Sequence, residues 1–282
     1  MSAAAAIFSF WRKNMKKIFK FLAVLLSSAF LLALAACGET PAQPENPGAE
    51  QPPQKEQSVL TQFKLTKEDF KNKAVVFYGD SITYGAGISL ANGEKTYGTL
   101  LAEALDFDAI NYAVSGQALA LARPDRGLTA GVMDITLHAE TNAQAHYAII
   151  AHGTNDFAAT TVELGSKEDK PEKLEEVETF YGAVRYAVNT LRAHNPNIKI
   201  LFLTPIYRAD RGSLYNGNMD KLTDFSAAIS ALAEELEYRV IDMYNVFDST
   251  NFKKGGEYTA DGLHPNAAGH QKMADFLLAY DK

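Results

Sequence analysis

The sequence predicts a three-layer α/β/α domain built around a five-stranded, mostly parallel β-sheet. Short apolar runs alternate along the chain with segments of helical periodicity, and the first run is apolar throughout rather than at every second position. A strand that is apolar on both sides is typical of a parallel sheet covered by helices on both faces. Strands separated by helices connect through right-handed crossovers, so the helices form two outer layers.

Five apolar runs are the predicted strands. The first, residues 74–78, reads Ala-Val-Val-Phe-Tyr and ends at Gly79-Asp80-Ser81, where the chain turns sharply. The others lie at residues 108–113, 147–151, 198–203 and 239–243. Open α/β sheets bind their ligands at the carboxyl ends of the strands. The residues directly after each run are therefore candidates for a functional site.

Segments with apolar residues three or four positions apart separate the strands and predict amphipathic helices. Their apolar faces are formed by Tyr97, Leu100, Leu101 and Leu105, by Val177, Phe180, Tyr181, Val184, Val188 and Leu191, and by Leu222, Phe225, Ile229 and Leu232. A last helix is predicted from about Asn266 to Tyr280, and Thr66 is a possible helix cap in a short lead-in. Residues 121–139 predict a loop that leads into a helix, and residues 212–218 predict a loop.

The first 36 residues predict an export signal rather than part of a fold. Five basic residues between Arg12 and Lys20 precede an uncharged apolar run at residues 21–36, which is the order found in secretory signal peptides. Either Met1 or Met15 can be the start. Two other interpretations are an uncut transmembrane anchor and an ordinary signal followed by an incidental cysteine.

Leu34-Ala35-Ala36-Cys37 resembles the bacterial lipobox. The resemblance implies cleavage before Cys37 and a diacylglyceryl group on its thiol, which anchors the protein to the bacterial membrane on the extracytoplasmic side. Because Cys37 is the only cysteine, no thiol remains for a disulfide, a metal site or catalysis. The predicted organisation is a lipoprotein signal peptide at 1–36, the lipidated cysteine and a disordered, proline-rich tether at 37–58, and one folded domain at 59–282.

The charge of the chain argues against two classes of partner. The formal net charge is −7, from 27 basic and 34 acidic residues. Removal of the leader leaves 22 basic residues against the same 34 acidic ones, a net charge near −12. Such acidity disfavours nucleic acids and anionic lipid surfaces.

Four small polar blocks lie at predicted strand ends or in the last connection. They are Gly79-Asp80-Ser81-Ile82-Thr83, Asn111-Tyr112-Ala113-Val114-Ser115-Gly116, Gly153-Thr154-Asn155-Asp156 and Asp261-Gly262-Leu263-His264-Pro265. In this order they resemble the blocks of the SGNH (GDSL) hydrolase family: GDS, a glycine after the second strand, GxND after the third and DxxH near the C-terminus. The resemblance covers residues from about 74 to 280 and implies a flavodoxin-like SGNH hydrolase fold and a serine esterase, or GDSL-like lipase/acylhydrolase.

The residue types in these blocks suit nucleophilic catalysis. A serine hydroxyl is a weak nucleophile without a base, and His264 is the candidate base for Ser81. Asp261 is the predicted residue that orients the imidazole, with Asp242 as an alternative. The first block alone is equally compatible with a helix cap, because Asp80 and Ser81 both favour that position.

The family resemblance also implies an oxyanion hole and supporting residues. The donors are the backbone N–H groups of Ser81 and Gly116 and the side-chain amide of Asn155. Asp80 and Asp156 are predicted to brace their loops through hydrogen bonds. No metal site or glycine-rich phosphate loop is present in the sequence, and the chemistry needs no cofactor.

Other polar residues of interest lie outside the four blocks. Thr83, Tyr84 and His152 border the predicted site, whereas His138, His146, His194 and His270 are predicted to be structural or exposed to solvent. Residues 207–211, Tyr-Arg-Ala-Asp-Arg, either bind an anionic or sugar-like substrate or form a solvated loop. Loops 84–95, 117–131 and 207–218 are the predicted pocket walls.

The predicted function is an extracytoplasmic serine esterase that acts through an acyl-enzyme. The predicted substrate is an acetylated polysaccharide, a lysolipid or a small ester, and the sequence does not distinguish among these three. Two alternatives are a surface-tethered protein that binds a glycan or solute and an acyltransferase that uses the same triad.

Overall fold

The computed structural model describes residues 64–159, 161–211 and 214–281. Five strands form one sheet: β1 (Ala74–Gly79), β2 (Asp108–Asn111), β3 (Tyr147–Ala151), β4 (Lys199–Leu203) and β5 (Arg239–Ile241). The strand order is β2-β1-β3-β4-β5, and every neighbouring pair is parallel. The predicted α/β class with a five-stranded parallel sheet is confirmed.

Helices connect the strands in the alternation that the sequence predicts. They are α1 (Lys67–Phe70), α2 (Ser81–Tyr84), α3 (Tyr97–Leu105), α4 (Gly131–Ala139), α5 (Thr154–Ala158), α6 (Phe180–His194), α7 (Leu222–Leu232) and α8 (Ala267–Ala279). The side chain of Thr66 caps α1, as predicted, and that of Asn266 caps α8. Val177 was predicted on the face of α6 but lies before the helix, because Thr179 caps α6 through a hydrogen bond from the backbone of Gly182.

The sheet has a separate apolar core on each face. Helices α4, α6 and α7 pack on one face, whereas α3 and α8 pack on the other. Successive residues of β1 point to opposite sides, with Val76 and Tyr78 in the first core and Val75 and Phe77 in the second. Both faces of β1 are therefore buried, which explains its unbroken apolar sequence.

Two predicted strands are shorter than expected because a polar side chain turns the backbone at their ends. In β2 the side-chain oxygen of Asn111 accepts a hydrogen bond from the Ala113 N–H, and after β5 that of Asp242 accepts one from the Tyr244 N–H. Such turns compete with continued strand pairing. At the sheet edge, all four residues of β2 are exposed.

Several predictions concern residues outside the described ranges. The signal peptide, Cys37 and the tether lie there, as do Gly212 and Ser213 of the predicted loop at 212–218.

Within the described ranges, residues 121–139 contain a short 3-10 turn, Pro124–Arg126, followed by α4. None of the helices in the described ranges combines the length and the apolar character that crossing a membrane requires.

Candidate active site

Ser81 occupies the first position of α2, directly after β1. Asp80 caps this helix, because its Oδ1 accepts a hydrogen bond of 2.9 Å from the backbone of Ile82. Gly79 is required at the turn, since a Cβ there would collide with the side chain of Thr83. Ser81 is only 5% exposed, so the strand, the turn and the cap together fix the direction of its hydroxyl.

The structure brings Ser81, His264 and Asp261 together in one line of hydrogen bonds. His264 Nε2 lies 2.9 Å from Ser81 Oγ, and His264 Nδ1 lies 2.6 Å from Asp261 Oδ2. The other oxygen, Asp261 Oδ1, accepts hydrogen bonds of 2.8 Å from the backbone of Leu263 and of His264. Asp242, the alternative orienting residue, instead accepts a hydrogen bond from Thr204 Oγ1.

The hydrogen bonds of Asp261 determine its protonation state. Partial desolvation favours the protonated acid, but the hydrogen bonds from His264 and Leu263 outweigh it and lower the pKa of Asp261 to about 2. The carboxylate therefore stays ionised at neutral and mildly acidic pH. An ionised acceptor at Nδ1 favours the tautomer that carries its proton there, which leaves Nε2 free to accept the proton of Ser81.

The predicted oxyanion donors come from the ends of three neighbouring strands, β2, β1 and β3. Gly116 follows β2 with a φ of +84°, a conformation in which a residue without a Cβ is favoured. Asn155 lies in the first turn of α5, and its Nδ2 donates a hydrogen bond of 3.0 Å to the backbone oxygen of Gln117. Because the amide has two hydrogens, one remains for a substrate.

Asp80 and Asp156 are both buried and both accept backbone hydrogen bonds, as predicted for residues that brace loops. The two oxygens of Asp156 accept bonds of 2.9 Å from Leu119 and Ala120. Burial raises the pKa of Asp156 to about 6 even though these bonds lower it. Burial raises the pKa of Asp80 further, to about 7, against the opposing effect of the bond from Ile82.

Gln117 is a buried residue of the site that the sequence analysis missed. Its Nε2 donates hydrogen bonds to Asp134 Oδ2 at 2.6 Å and to Thr129 Oγ1 at 3.2 Å, and Thr129 Oγ1 donates to Asp134 Oδ1 at 2.7 Å. Since its backbone oxygen accepts the bond from Asn155, Gln117 joins the two segments that carry the predicted oxyanion donors. The signals in the sequence were its position directly after Gly116 and its place in loop 117–131, one of the predicted pocket walls.

Arg208 was also missed as a residue that holds the site together. Its guanidinium makes two hydrogen bonds of 2.7 Å to Asp210 and a third, of 2.9 Å, to the backbone oxygen of Thr154. The Arg208 side chain is only 7% exposed, so the interpretation of residues 207–211 as a solvated loop is wrong at this position. The backbone N–H of the next residue, Ala209, donates a hydrogen bond of 2.7 Å to the backbone oxygen of Gly262. Together with the bond from Arg208 to Thr154, this contact links α5 to the loop that carries Asp261 and His264.

The remaining histidines do not contact Ser81. His152 is buried with its ring against Gly131, and burial lowers its pKa to about 4. His270 and His146 each accept a backbone hydrogen bond, His138 stacks on Tyr112, and His194 is exposed at the end of α6. Thr83 bonds to the hydroxyl of Tyr97 beneath the site, and Tyr84 is exposed beside it. In the described ranges, no three His, Cys, Asp or Glu side chains come together as a metal site.

Comparison with known proteins identifies similar sequences and folds. The profile of the GDSL-like lipase/acylhydrolase family matches residues 77–272. A protein from Lactobacillus plantarum is 24% identical with a TM-score of 0.60, covering 74% of this chain and 96% of its own. A possible lipase from Chitinophaga pinensis is 22% identical with a TM-score of 0.58, covering 73% and 96%. Est24, a carbohydrate acetylesterase from Sinorhizobium meliloti, is 16% identical with a TM-score of 0.53, covering 73% and 97%. No protein with a curated description matches the chain.

Proposed function

The chain belongs to the GDSL-like lipase/acylhydrolase family and is a carboxylic ester hydrolase, and we propose that Ser81 is its nucleophile, His264 its general base and Asp261 the orienting carboxylate. The observation that carries the proposal is the unbroken line of hydrogen bonds from Asp261 through His264 to Ser81. Neither of these two hydrogen bonds is needed to cap α2, because Asp80 already caps it.

The mechanism follows from the geometry. Ser81 Oγ attacks the ester carbonyl carbon as its proton passes to His264 Nε2, and the imidazolium is stabilised by ionised Asp261. The same proton then goes to the leaving alcohol, and an acyl-enzyme forms on Ser81. Water attacks the acyl-enzyme with His264 again as the base, which releases the acid and restores the serine.

The oxyanion of each tetrahedral intermediate is stabilised by donors that are held in place before the reaction. We assign this role to the backbone N–H groups of Ser81 and Gly116 and to the free amide hydrogen of Asn155. Asp156 supports the arrangement, because its carboxylate ties the segment after Gly116 to α5.

The proposed substrate is an acetyl or other short-chain ester of a carbohydrate. His264 and Asp261 have side chains that are 24% and 51% exposed, so the site is open enough for a bulky alcohol. Further support is that a protein of the same fold, Est24, is a carbohydrate acetylesterase.

The proposed location is the extracytoplasmic side of a bacterial membrane, with lipidated Cys37 as the anchor and residues 38–58 as the tether. The support is the order of basic, apolar and small residues before the only cysteine. Metabolic labelling with a fatty acid analogue tests this proposal. We expect label in the wild-type protein and none after Cys37→Ser, and equal labelling of the two would contradict it.

Hydrolysis of p-nitrophenyl acetate tests the assigned nucleophile. We expect Ser81→Ala to abolish turnover and covalent labelling by a fluorophosphonate. Ser230→Ala is the matched control, because Ser230 is exposed on α7 and bonds only to the backbone of its own helix. A wild-type protein that is neither active nor labelled would contradict the proposal and favour a binding protein. Formation of a new ester when a sugar is added would indicate acyl transfer.

A further inference from the structure

A second cavity lies at the carboxyl edge of the sheet and is not used by the proposed reaction. Its volume is about 160 Å³, and its walls include the side chains of Phe157, Tyr207, Tyr215, Tyr244, Arg211 and Lys221. Tyr207 follows β4 and Tyr244 follows β5, and their ring centroids are 6.0 Å apart in an edge-to-face arrangement. The cavity is therefore built from strand ends, as the site around Ser81 is.

The position of this cavity relates it to the ester. Phe157 lies two residues after Asn155 in α5, and the neighbouring Arg208 bonds to the backbone of Thr154. Adjacent strands lie about 4.8 Å apart, so β4 is about 10 Å and β5 about 14 Å from β1 along the sheet. The cavity thus lies beyond Asn155 as seen from Ser81, within reach of a ligand that extends from the reacting carbonyl.

The charge of the cavity differs from that of the whole chain. The chain carries a net charge of −7, yet the cavity walls contain three basic residues and no acidic one. Arg208 is paired with Asp210. In the described part of the chain, neither Arg211 nor Lys221 forms an ion pair. Two positive charges are thus available for an anionic ligand.

Aromatic rings hold these two charges at the cavity wall. The Arg211 guanidinium lies 5.8 Å from the ring centroid of Phe157, and its Nη2 donates a hydrogen bond of 3.0 Å to the backbone oxygen of Ala158. The Lys221 ammonium lies 5.4 Å from the ring of Tyr215. Cation–π contacts at such distances orient the charged groups. A pre-oriented cation loses less entropy when it pairs with an anion.

We propose that this cavity binds an acidic sugar residue, a pyranose ring that bears a carboxylate, on the alcohol side of the scissile ester. The carboxylate pairs with Arg211 and Lys221, and the ring packs against Tyr207 and Tyr244. An acyl chain is a poor occupant, because it would remove both cations from water without compensation. The inference rests on the proposed function and narrows its substrate class to esters of acidic polysaccharides.

The kinetic test compares acetylated polygalacturonate with acetylated xylan, which is neutral. We expect the wild-type protein to prefer the acidic polymer, with a KM that rises with salt. In Arg211→Ala/Lys221→Ala the ratio of kcat/KM for the acidic to the neutral polymer falls about tenfold or more, because each charge-assisted contact is strong. Lys167→Ala/Lys170→Ala, which removes two exposed charges elsewhere, keeps the wild-type ratio. An unchanged ratio in the Arg211 and Lys221 variant would overturn the inference.

A binding test separates failure of this inference from failure of the proposed function. Calorimetry with unesterified trigalacturonate needs no hydrolysis. It therefore tests whether the cavity binds an acidic sugar even if the protein does not hydrolyse p-nitrophenyl acetate. We expect binding to the wild-type protein and to Ser81→Ala, and about tenfold or weaker binding after Arg211→Ala/Lys221→Ala. Absence of binding to the wild-type protein overturns the inference. Binding of phosphatidylglycerol vesicles in place of the sugar overturns it too.

Discussion

Replacement of Gln117 tests whether the proposed oxyanion hole is held by contacts outside the proposed triad. Gln117→Ala removes one hydrogen bond to the carboxylate of Asp134 and one to Thr129. A hydrogen bond to a charged group contributes about 1.5–3 kcal/mol and a neutral one about 0.5–1.5 kcal/mol, so we expect a loss of about 2–4.5 kcal/mol in the free energy of unfolding. The backbone of Gln117 then moves, and Asn155, which donates to it, moves too.

The expected effect on catalysis is larger than the effect on binding. A displacement of about 1 Å in a positioned group costs about 10²-fold, and loss of a whole oxyanion donor costs about 10²–10³-fold in kcat. We therefore expect kcat of Gln117→Ala on p-nitrophenyl acetate to fall about 10²-fold with KM nearly unchanged. Thermal unfolding of the same variant shows whether the protein is still folded at the assay temperature.

A reversal of the hydrogen bond provides the control. Gln117→Glu alone places two carboxylates together, and Asp134→Asn alone removes the charge that accepts the bond. In Gln117→Glu/Asp134→Asn the donor and the acceptor of the 2.6 Å bond exchange sides. Thr129 has one hydroxyl hydrogen, so it donates to only one of the two new side chains. We expect the double variant to recover part of the kcat that Gln117→Glu loses, because only the bond between positions 117 and 134 is restored. Wild-type kcat in Gln117→Ala, or a double variant as slow as the product of the single effects, would refute the reasoning.

Three further predictions concern the loop at His264 and the buried carboxylates. Gly87→Ala should lower kcat about 10²-fold by displacing His264, because a Cβ at this position would collide with the Cβ of His264 and with the backbone oxygen of Pro265. Gly93→Ala, with a similar positive φ but open space around it, should keep wild-type kcat, and equal losses would contradict this. Burial raises the pKa of Asp80 to about 7 in the folded protein, so protonation of this carboxyl stabilises the fold. The stabilisation is complete at a pH below the pKa of Asp80 in the unfolded chain, and it is lost as the pH rises through the pKa in the folded protein. Asp80→Asn keeps the cap, so its melting temperature should fall less than that of the wild type between about pH 4 and pH 8, and parallel curves would count against burial as the cause. Asp261→Asn should lower kcat about 10³–10⁴-fold at neutral pH by favouring the wrong tautomer of His264, measured on p-nitrophenyl acetate, and retention of most activity would exclude the assigned role.

The sequence predicted the parts of the fold that depend on local patterns. The central strand β1 was recognisable because both its faces are buried, and the four polar blocks were recognisable because each follows a strand or lies in the last connection. The early ends of β2 and β5 were missed because Asn111 and Asp242 turn the backbone through their own side chains. A search for runs of apolar residues does not detect side-chain hydrogen bonds to the backbone that compete with strand pairing.

The contacts that tie the site together could not be predicted, because they join residues that only the tertiary fold brings together. Gln117 and Asp134 are 17 residues apart, and Arg208 and Thr154 are 54 apart. In both pairs a buried polar side chain donates a hydrogen bond. The sequence contains many polar side chains of the same types that are exposed. Burial decides which of them matter, and burial depends on the packing of whole helices.

The site has two halves that depend on the fold in different ways. Ser81, Gly116 and Asn155 follow three adjacent strands, so the ladder β2-β1-β3 sets their spacing directly. The loop that carries Asp261 and His264 follows no strand, and it is held by the Ala209 contact and by close packing against Gly87. Since loops open at lower free energy than central strands, mild denaturant should disturb the proposed base, His264, before the proposed oxyanion donors. Loss of turnover at denaturant concentrations where the sheet is intact is therefore expected.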